Sequence, residues 1–141
     1  MIIIRAKLND NKRTYRDIAI KDTETSLYYL AKYILDSYNF YFDHCFGFYK
    51  SADIYGRGKN QTHYELFYDI GEEIDELTES VQETLVSKLF INRKDKWWML
   101  FDYGDDLIFE LECVDTSVSS YKNGQVSRVS GESPQQYPPL G

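Results

Sequence analysis

Trp97–Val114, WWMLFDYGDDLIFELECV, is the densest apolar and aromatic run in the chain, and one compact acidic turn, Asp102-Tyr103-Gly104-Asp105-Asp106, cuts it in two. Runs rich in aromatic and aliphatic residues on either side of a Gly-containing turn predict a β-hairpin. Trp97, Leu100, Phe109 and Leu111 are its expected core positions. The hairpin therefore reads as the scaffold, and its tip as the place where chemistry can sit.

Outward from the hairpin, Met1–Leu8 reads as a strand and Tyr15–Ile20 as its antiparallel return, with Asn9-Asp10-Asn11 as the turn. Thr23–Tyr38 predicts a helix capped by Thr23 or Thr25. Leu27, Leu30, Ala31, Ile34, Leu35 and Tyr38 repeat at spacings of three and four and form one apolar stripe. Phe40–Tyr49 reads as turn then strand, 51–62 as a loop, and His63–Tyr68 as a strand. Asp69–Glu79 carries six acids and no base, the mark of a solvated face. Ser80–Phe90 reads either as a single helix or, in preference, as a short strand and a one-turn helix capped by Thr84, and Val126–Val129 as an edge strand. All three prolines fall in 132–141, an extended tail after a domain spanning 1–131.

These segments add up to a single α+β domain. Its expected sheet is mixed or mainly antiparallel, with about six strands and one long helix packed on it. The strand–turn–strand–helix opening leaves a β-grasp-like core as the alternative.

A length of 141 residues suits one domain with a real core. The 13 Tyr and 8 Phe favour half-buried sheet positions, where a ring packs while a hydroxyl stays wet. A net charge of -7 opposes broad attraction to nucleic acid or anionic membranes. No apolar stretch nears the roughly 18 residues of a membrane-spanning helix, and MIIIRAKL is too short for a secretion signal. Cys45 and Cys113, both in apolar sequence, are expected to be buried thiols of a reducing, cytoplasmic protein.

Several motifs in a fixed order carry a resemblance. They are Tyr15-Arg16-Asp17-Ile18 before a Leu-rich helix, Phe42-Asp43-His44-Cys45-Phe46-Gly47-Phe48, Phe101–Asp106, Gly131-Glu132-Ser133-Pro134 and Gln136-Tyr137-Pro138. Over roughly residues 1 to 138 the chain resembles the plasmid ORF-three-like family, named after an open reading frame of a root-inducing plasmid. The family pattern has Trp where Tyr15 stands, and Trp again near Leu107. The resemblance implies an α+β domain of uncharacterised function. Some members carry a resolvase label through association with mobile elements. That chemistry needs a nucleophilic Ser amid arginines and a basic DNA-binding surface. Here the serines cluster at 117–133 with only Arg128 nearby, and the chain is acidic.

The residues with the sharpest chemistry are His44, Asp102, Tyr103, Asp105 and Asp106. Crowded carboxylates raise one another's pKa or recruit a divalent cation. The structural reading of the same residues is that Asp and Gly are what hairpin turns are made of. His44 is a general base, a metal ligand beside the acidic turn, or a core histidine satisfied by a carboxylate. Tyr15, Arg16, Asp43 and Phe48 make a second set, a possible binding surface. No CxxC or HExxH spacing and no Gly-rich phosphate loop occurs, so neither metal nor cofactor is expected. Substrate and reaction are not legible in the residues. The leading expectation is a non-catalytic module presenting an aromatic, acidic surface to a protein or small-molecule partner, of unknown oligomeric state. The alternatives are a divalent-metal-dependent hydrolase built on Asp102–Asp106 and His44, and an accessory of mobile-element nucleic-acid transactions.

Overall fold

In the computed structural model, residues 1–137 are described. They fold around one sheet with strand order β5-β4-β3-β6-β7-β1-β2-β8. The strands are β1 (Ile2–Leu8), β2 (Asn11–Ile20), β3 (Phe46–Tyr49), β4 (His63–Glu65), β5 (Thr78–Glu79), β6 (Lys96–Phe101), β7 (Leu107–Asp115) and β8 (Val126–Ser130). Helix α1 (Leu27–Ser37) follows β2, and the single turn α2 (Leu66–Asp69) follows β4. All pairings are antiparallel except β4 with β5.

This architecture corrects the expected fold class. The sheet has eight strands rather than about six, and the helix is 11 residues long rather than the 16 of Thr23–Tyr38. The domain is mostly sheet. Period-two patterning cannot reveal a two-residue edge strand such as β5, and it carried His63–Tyr68 too far, since the chain turns helical at Leu66. Helix α1 loses its expected first turn because Ser26, not Thr23 or Thr25, is the cap, its hydroxyl accepting from Tyr29 N. The backbone just before it is tied elsewhere: Leu27 N donates to Thr84 O, and Thr25 O accepts from Val86 N. No strand forms at 80–85, where only a bridge of Leu85 to Ser26 occurs, and Thr84 does not cap the 3-10 turn Val86–Lys88. The β-grasp-like alternative fails too. The second neighbour of β1 is β7, and it runs antiparallel, so no parallel crossover follows the helix.

Alternation along the central strands sorts residues to two faces. Ile4, Ala6 and Leu8 of β1, Trp97, Met99 and Phe101 of β6, and Phe109, Leu111 and Cys113 of β7 meet the stripe Leu27, Leu30, Ala31, Ile34 and Leu35 of α1. Burying each large side chain there contributes roughly 1.5–3 kcal/mol, so this helix-covered face holds most of the core. The opposite face has a smaller cluster of Tyr49, Ile54 and Leu100, backed by Tyr103 and Ile108. Leu100 thus belongs to the other side of the sheet from Trp97, Phe109 and Leu111. The same face also carries a charged patch: Glu110 is surrounded by Lys7, Lys12 and Lys96, and Arg5 pairs with Asp17.

Cys113 is buried and Cys45 is half-buried, and neither forms a disulfide. Burial lifts the Cys113 thiol to about 11. Among the described residues, no helix is long and apolar enough to cross a membrane.

Candidate functional site

The acidic turn closes the β6–β7 hairpin in an unusual backbone conformation. Asp102 and Asp106 both have positive φ, +66 and +50. Aspartate tolerates this left-handed region better than most residues because its short side chain can bond locally. Asp102 Oδ1 accepts from Gly104 N at 3.0 Å and Asp105 N at 3.4 Å, while Asp106 N donates to Asp102 O at 2.7 Å. Part of the Asp102 carboxylate is therefore engaged in holding the turn.

Its other oxygen faces His44. Asp102 Oδ2 lies 3.5 Å from His44 Nε2, and Asp43 Oδ1 lies 3.8 Å from the same nitrogen. His44 is 42% exposed and precedes β3 rather than lying in it. Its ring packs edge-on against Phe101 and Tyr137. The Tyr137 hydroxyl donates to Asp43, which lifts the phenol above its ordinary value through burial first and this bond second.

The stretch expected to be a tail completes the enclosure as far as it is described. Ser133 is held by Arg16 Nη2 at 2.9 Å, and Gln136 bonds both the N–H and the carbonyl of Tyr41. Residues 138–141, with Pro138 of the last motif and the end of that stretch, lie outside the described residues. Between this segment, the β1–β2 turn and the acidic turn runs a cleft of about 560 Å³. Asp10, Asp102, Asp105, Asp106 and Glu132 line it above apolar walls that include Phe40, Phe101 and Leu107, and among the described residues no Lys or Arg does. Among the described residues, no group of three His, Cys, Asp or Glu side chains is placed to hold a metal ion.

Tyr103 leaves this group. It turns to the other face of the sheet, where its hydroxyl lies 2.6 Å from that of Tyr49. Tyr49 donates its one proton to Glu65 Oε2, so Tyr103 must be the donor to Tyr49. Lys59 Nζ reaches the same Glu65 oxygen at 2.8 Å. Glu65 is 2% exposed and Tyr49 is fully buried. Burial, first, raises both phenols far above the ordinary tyrosine value, so both remain hydrogen-bond donors at neutral pH. His63 stacks on Tyr49 and is itself buried, with Nδ1 donating to Gln61 O and Nε2 2.9 Å from Thr78 Oγ1.

The second expected set disperses. Phe48 lies in the helix-side core. Arg16 is buried, its guanidinium satisfied by the carbonyls of Tyr15, Ser37, Ser130 and Gly131 together with Ser133, so it clamps the chain. Tyr15 stacks under Arg5 on the charged face. Of this set only Asp43 adjoins His44.

Tyr49, Lys59 and Glu65 escaped the sequence reading, and His63 stands there at a loop edge with no motif around it. Two signals pointed to them. His63 and Glu65 are two apart in a short strand and so share a face. Gly47 is a lone glycine in an aromatic strand, a mark of close approach by another group. A Cβ at Gly47 would stand 2.6 Å from the Tyr103 hydroxyl and 2.9 Å from that of Tyr49.

Fold and site thus define a single-sheet domain with one covering helix and a two-sided acidic turn at its edge. No family model matches the sequence, and no curated protein matches it. A solved structure of similar fold is a protein of unknown function, MM3350, from Methanosarcina mazei Go1. The TM-score is 0.68 at 11% identity, covering 96% of this chain and 71% of that one. At that identity the likeness is one of fold.

Proposed function

We propose that the chain is a non-catalytic binding module whose cleft takes a cationic segment of a protein partner. The observation that carries this reading is the lining of five carboxylates and no base above apolar walls. Such a lining favours a Lys or Arg side chain that lays its aliphatic stem along the walls and its charge among the acids. The overall charge of -7 works against nucleic acid at the same place. The test is fluorescence anisotropy with a short labelled peptide rich in Lys and Arg, and with an acidic peptide of equal length. Saturable binding of the basic peptide alone, weakened at least tenfold in a Asp105→Asn/Glu132→Gln variant, supports the reading. No saturable binding, or equal binding of both peptides, refutes it.

A metal-dependent hydrolase is the second reading, favoured by the 3.5 Å approach of His44 to Asp102. Against it stands the engagement of Asp102 with turn amides. A thermal melt unmoved by millimolar Mg²⁺ or Mn²⁺ would remove it.

For lineage we infer the plasmid ORF-three-like family, on its ordered motifs. Solved members that share this strand order would support the assignment, and a different order would overturn it. The setting inferred is cytoplasmic, in keeping with two unpaired cysteines.

A further inference from the structure

On the face of the sheet away from α1, a second pocket of about 350 Å³ opens beside the acidic turn. Its walls include the rings of Tyr55, Phe67 and Tyr103, its floor includes Glu65, and Glu72, Glu73 and Asp75 stand around it. Phe67 and Tyr103 have ring centroids 4.9 Å apart and are inclined at 49°, so they form a corner rather than a stack. Aromatic faces above a buried carboxylate make the environment that recognises ammonium groups, whose charge interacts with ring quadrupoles at up to about 6 Å.

The protein already places an ammonium there. Lys59 Nζ sits 2.8 Å from Glu65 Oε2 and 5.9 Å from the Tyr49 ring centroid. Lys59 comes from the loop between β3 and β4 and keeps its side chain 32% exposed, so it can leave toward solvent. Glu65 cannot leave with it. Tyr49 holds Glu65 Oε2 from behind, and Tyr103 holds Tyr49. Both hydrogen bonds to Glu65 from Tyr49 and Lys59 fall on Oε2, and the carboxylate lines the pocket, where its charge can face a cation. Gly47 pairs directly with Glu65 across the strands, and its missing Cβ provides the space in which the two hydroxyls meet. The floor is held by two hydroxyls, while the cation above it stays partly exposed.

We propose that this pocket binds a small organic ammonium ligand, with Lys59 as the internal occupant that the ligand displaces. The site is separate from the acidic cleft and does not depend on the reading given to that cleft. The aromatic corner and the acids around it favour an alkylated or quaternary ammonium over an anion or a neutral molecule.

The test uses the full chain at pH 8, with choline as the probe and its neutral carbon isostere, 3,3-dimethyl-1-butanol, as the control. Both are followed by amide chemical shifts of Glu65, Phe67 and Tyr103. Choline is expected to give saturable shifts at those positions, at least tenfold tighter than the isostere. Lys59→Met should tighten choline binding at least fivefold by removing the competitor, an effect that merely structural damage does not produce. Glu65→Gln should weaken it at least tenfold. If that variant does not fold, Phe67→Ala, at the partly exposed rim, must weaken choline by a similar factor. Asp105→Asn should leave choline binding unchanged while altering peptide binding in the cleft, so failure of one site is distinguishable from failure of the other. Unsaturable shifts in both wild type and Lys59→Met, equal binding of the isostere, or no gain in Lys59→Met overturns the proposal.

Discussion

Replacing Gly47 by alanine tests whether the hydroxyl relay is built around the missing side chain. In an ordinary strand, Gly→Ala stabilises by roughly 0.5–1 kcal/mol, because glycine loses more backbone freedom on folding. At Gly47 the new Cβ would lie 2.6 Å from the Tyr103 hydroxyl, 2.9 Å from the Tyr49 hydroxyl and 3.0 Å from a Tyr49 ring carbon. Tyr49 is fully buried and tied to Glu65, so the ring cannot swing away freely. Overpacking at such a site costs about 1–3 kcal/mol, with about 1 kcal/mol more if the hydroxyl pair is broken. Against the strand gain, the net expected loss is about 2 kcal/mol. With a urea slope of roughly 2 kcal/mol/M, the unfolding midpoint should fall by about 1 M. Tyr103→Phe removes the nearest clashing atom and frees Tyr49 to shift. The double variant should therefore recover about 1 kcal/mol relative to the sum of the single changes. A Gly47→Ala protein as stable as wild type or more so, or single effects that simply add, would refute the reasoning.

Three other perturbations follow from the packing. Arg16→Lys removes the fork that holds four carbonyls and Ser133, a role Lys cannot fill. Amide exchange over 131–137 should speed up at least tenfold while the hairpin stays protected, and unchanged exchange would show the clamp to be idle. Glu110, with its side chain 3% exposed, has Lys96 Nζ at 3.1 Å and Lys12 Nζ at 3.2 Å. Burial opposes its ionisation, but the lysines outweigh burial and hold the carboxyl below its ordinary value. Glu110→Gln should cost about 1–3 kcal/mol at pH 7 in urea unfolding, less than a fully buried pair because the lysines remain partly solvated. Asp95 is also held low, first by the Asn92 amide against an opposing burial effect, and then by the Ile91 amide. A carboxyl depressed on folding contributes stability that is present above its unfolded pKa, near 4, and lost as pH falls through the folded value. Asp95→Asn should therefore flatten the decline of the urea midpoint below pH 4, and an unchanged acid slope would contradict this.

The hairpin was legible because two dense apolar and aromatic runs, Trp97–Phe101 and Leu107–Val114, flank a Gly-containing turn. The apolar stripe of α1 was legible because its residues recur at spacings of three and four, the period of a helix face. What remained hidden was settled by distant partners. Helix α1 begins at Leu27 because residues 25–27 bond the segment 84–86, which no local pattern announces. Strand β5 exists only because His63 and Tyr64 lie beside Thr78 and Glu79. The approach of His44 to Asp102 depends on Asp102 N bonding Cys45 O, a contact between stretches more than fifty residues apart. The relay through Tyr49, Glu65 and Lys59 joins three separate segments, so the sequence hinted at it only through the lone Gly47 and the shared face of His63 and Glu65.

The acidic turn has a different meaning once both faces are known. It sits where β6 and β7 leave the middle of the sheet, so its five residues are divided between the two sides. Asp102, Asp105 and Asp106 line the cleft, while Tyr103 lines the ammonium pocket. One bond spans the partition: the Tyr55 hydroxyl, at the pocket, donates to Asp106 Oδ1 at 2.8 Å. Asp102 and Asp106 both have positive φ, and the Asp106 N to Asp102 O bond closes the turn between them. The turn thus presents its carboxylates to one side and its aromatic ring to the other, so the crowded acids and Tyr103 serve two different surfaces.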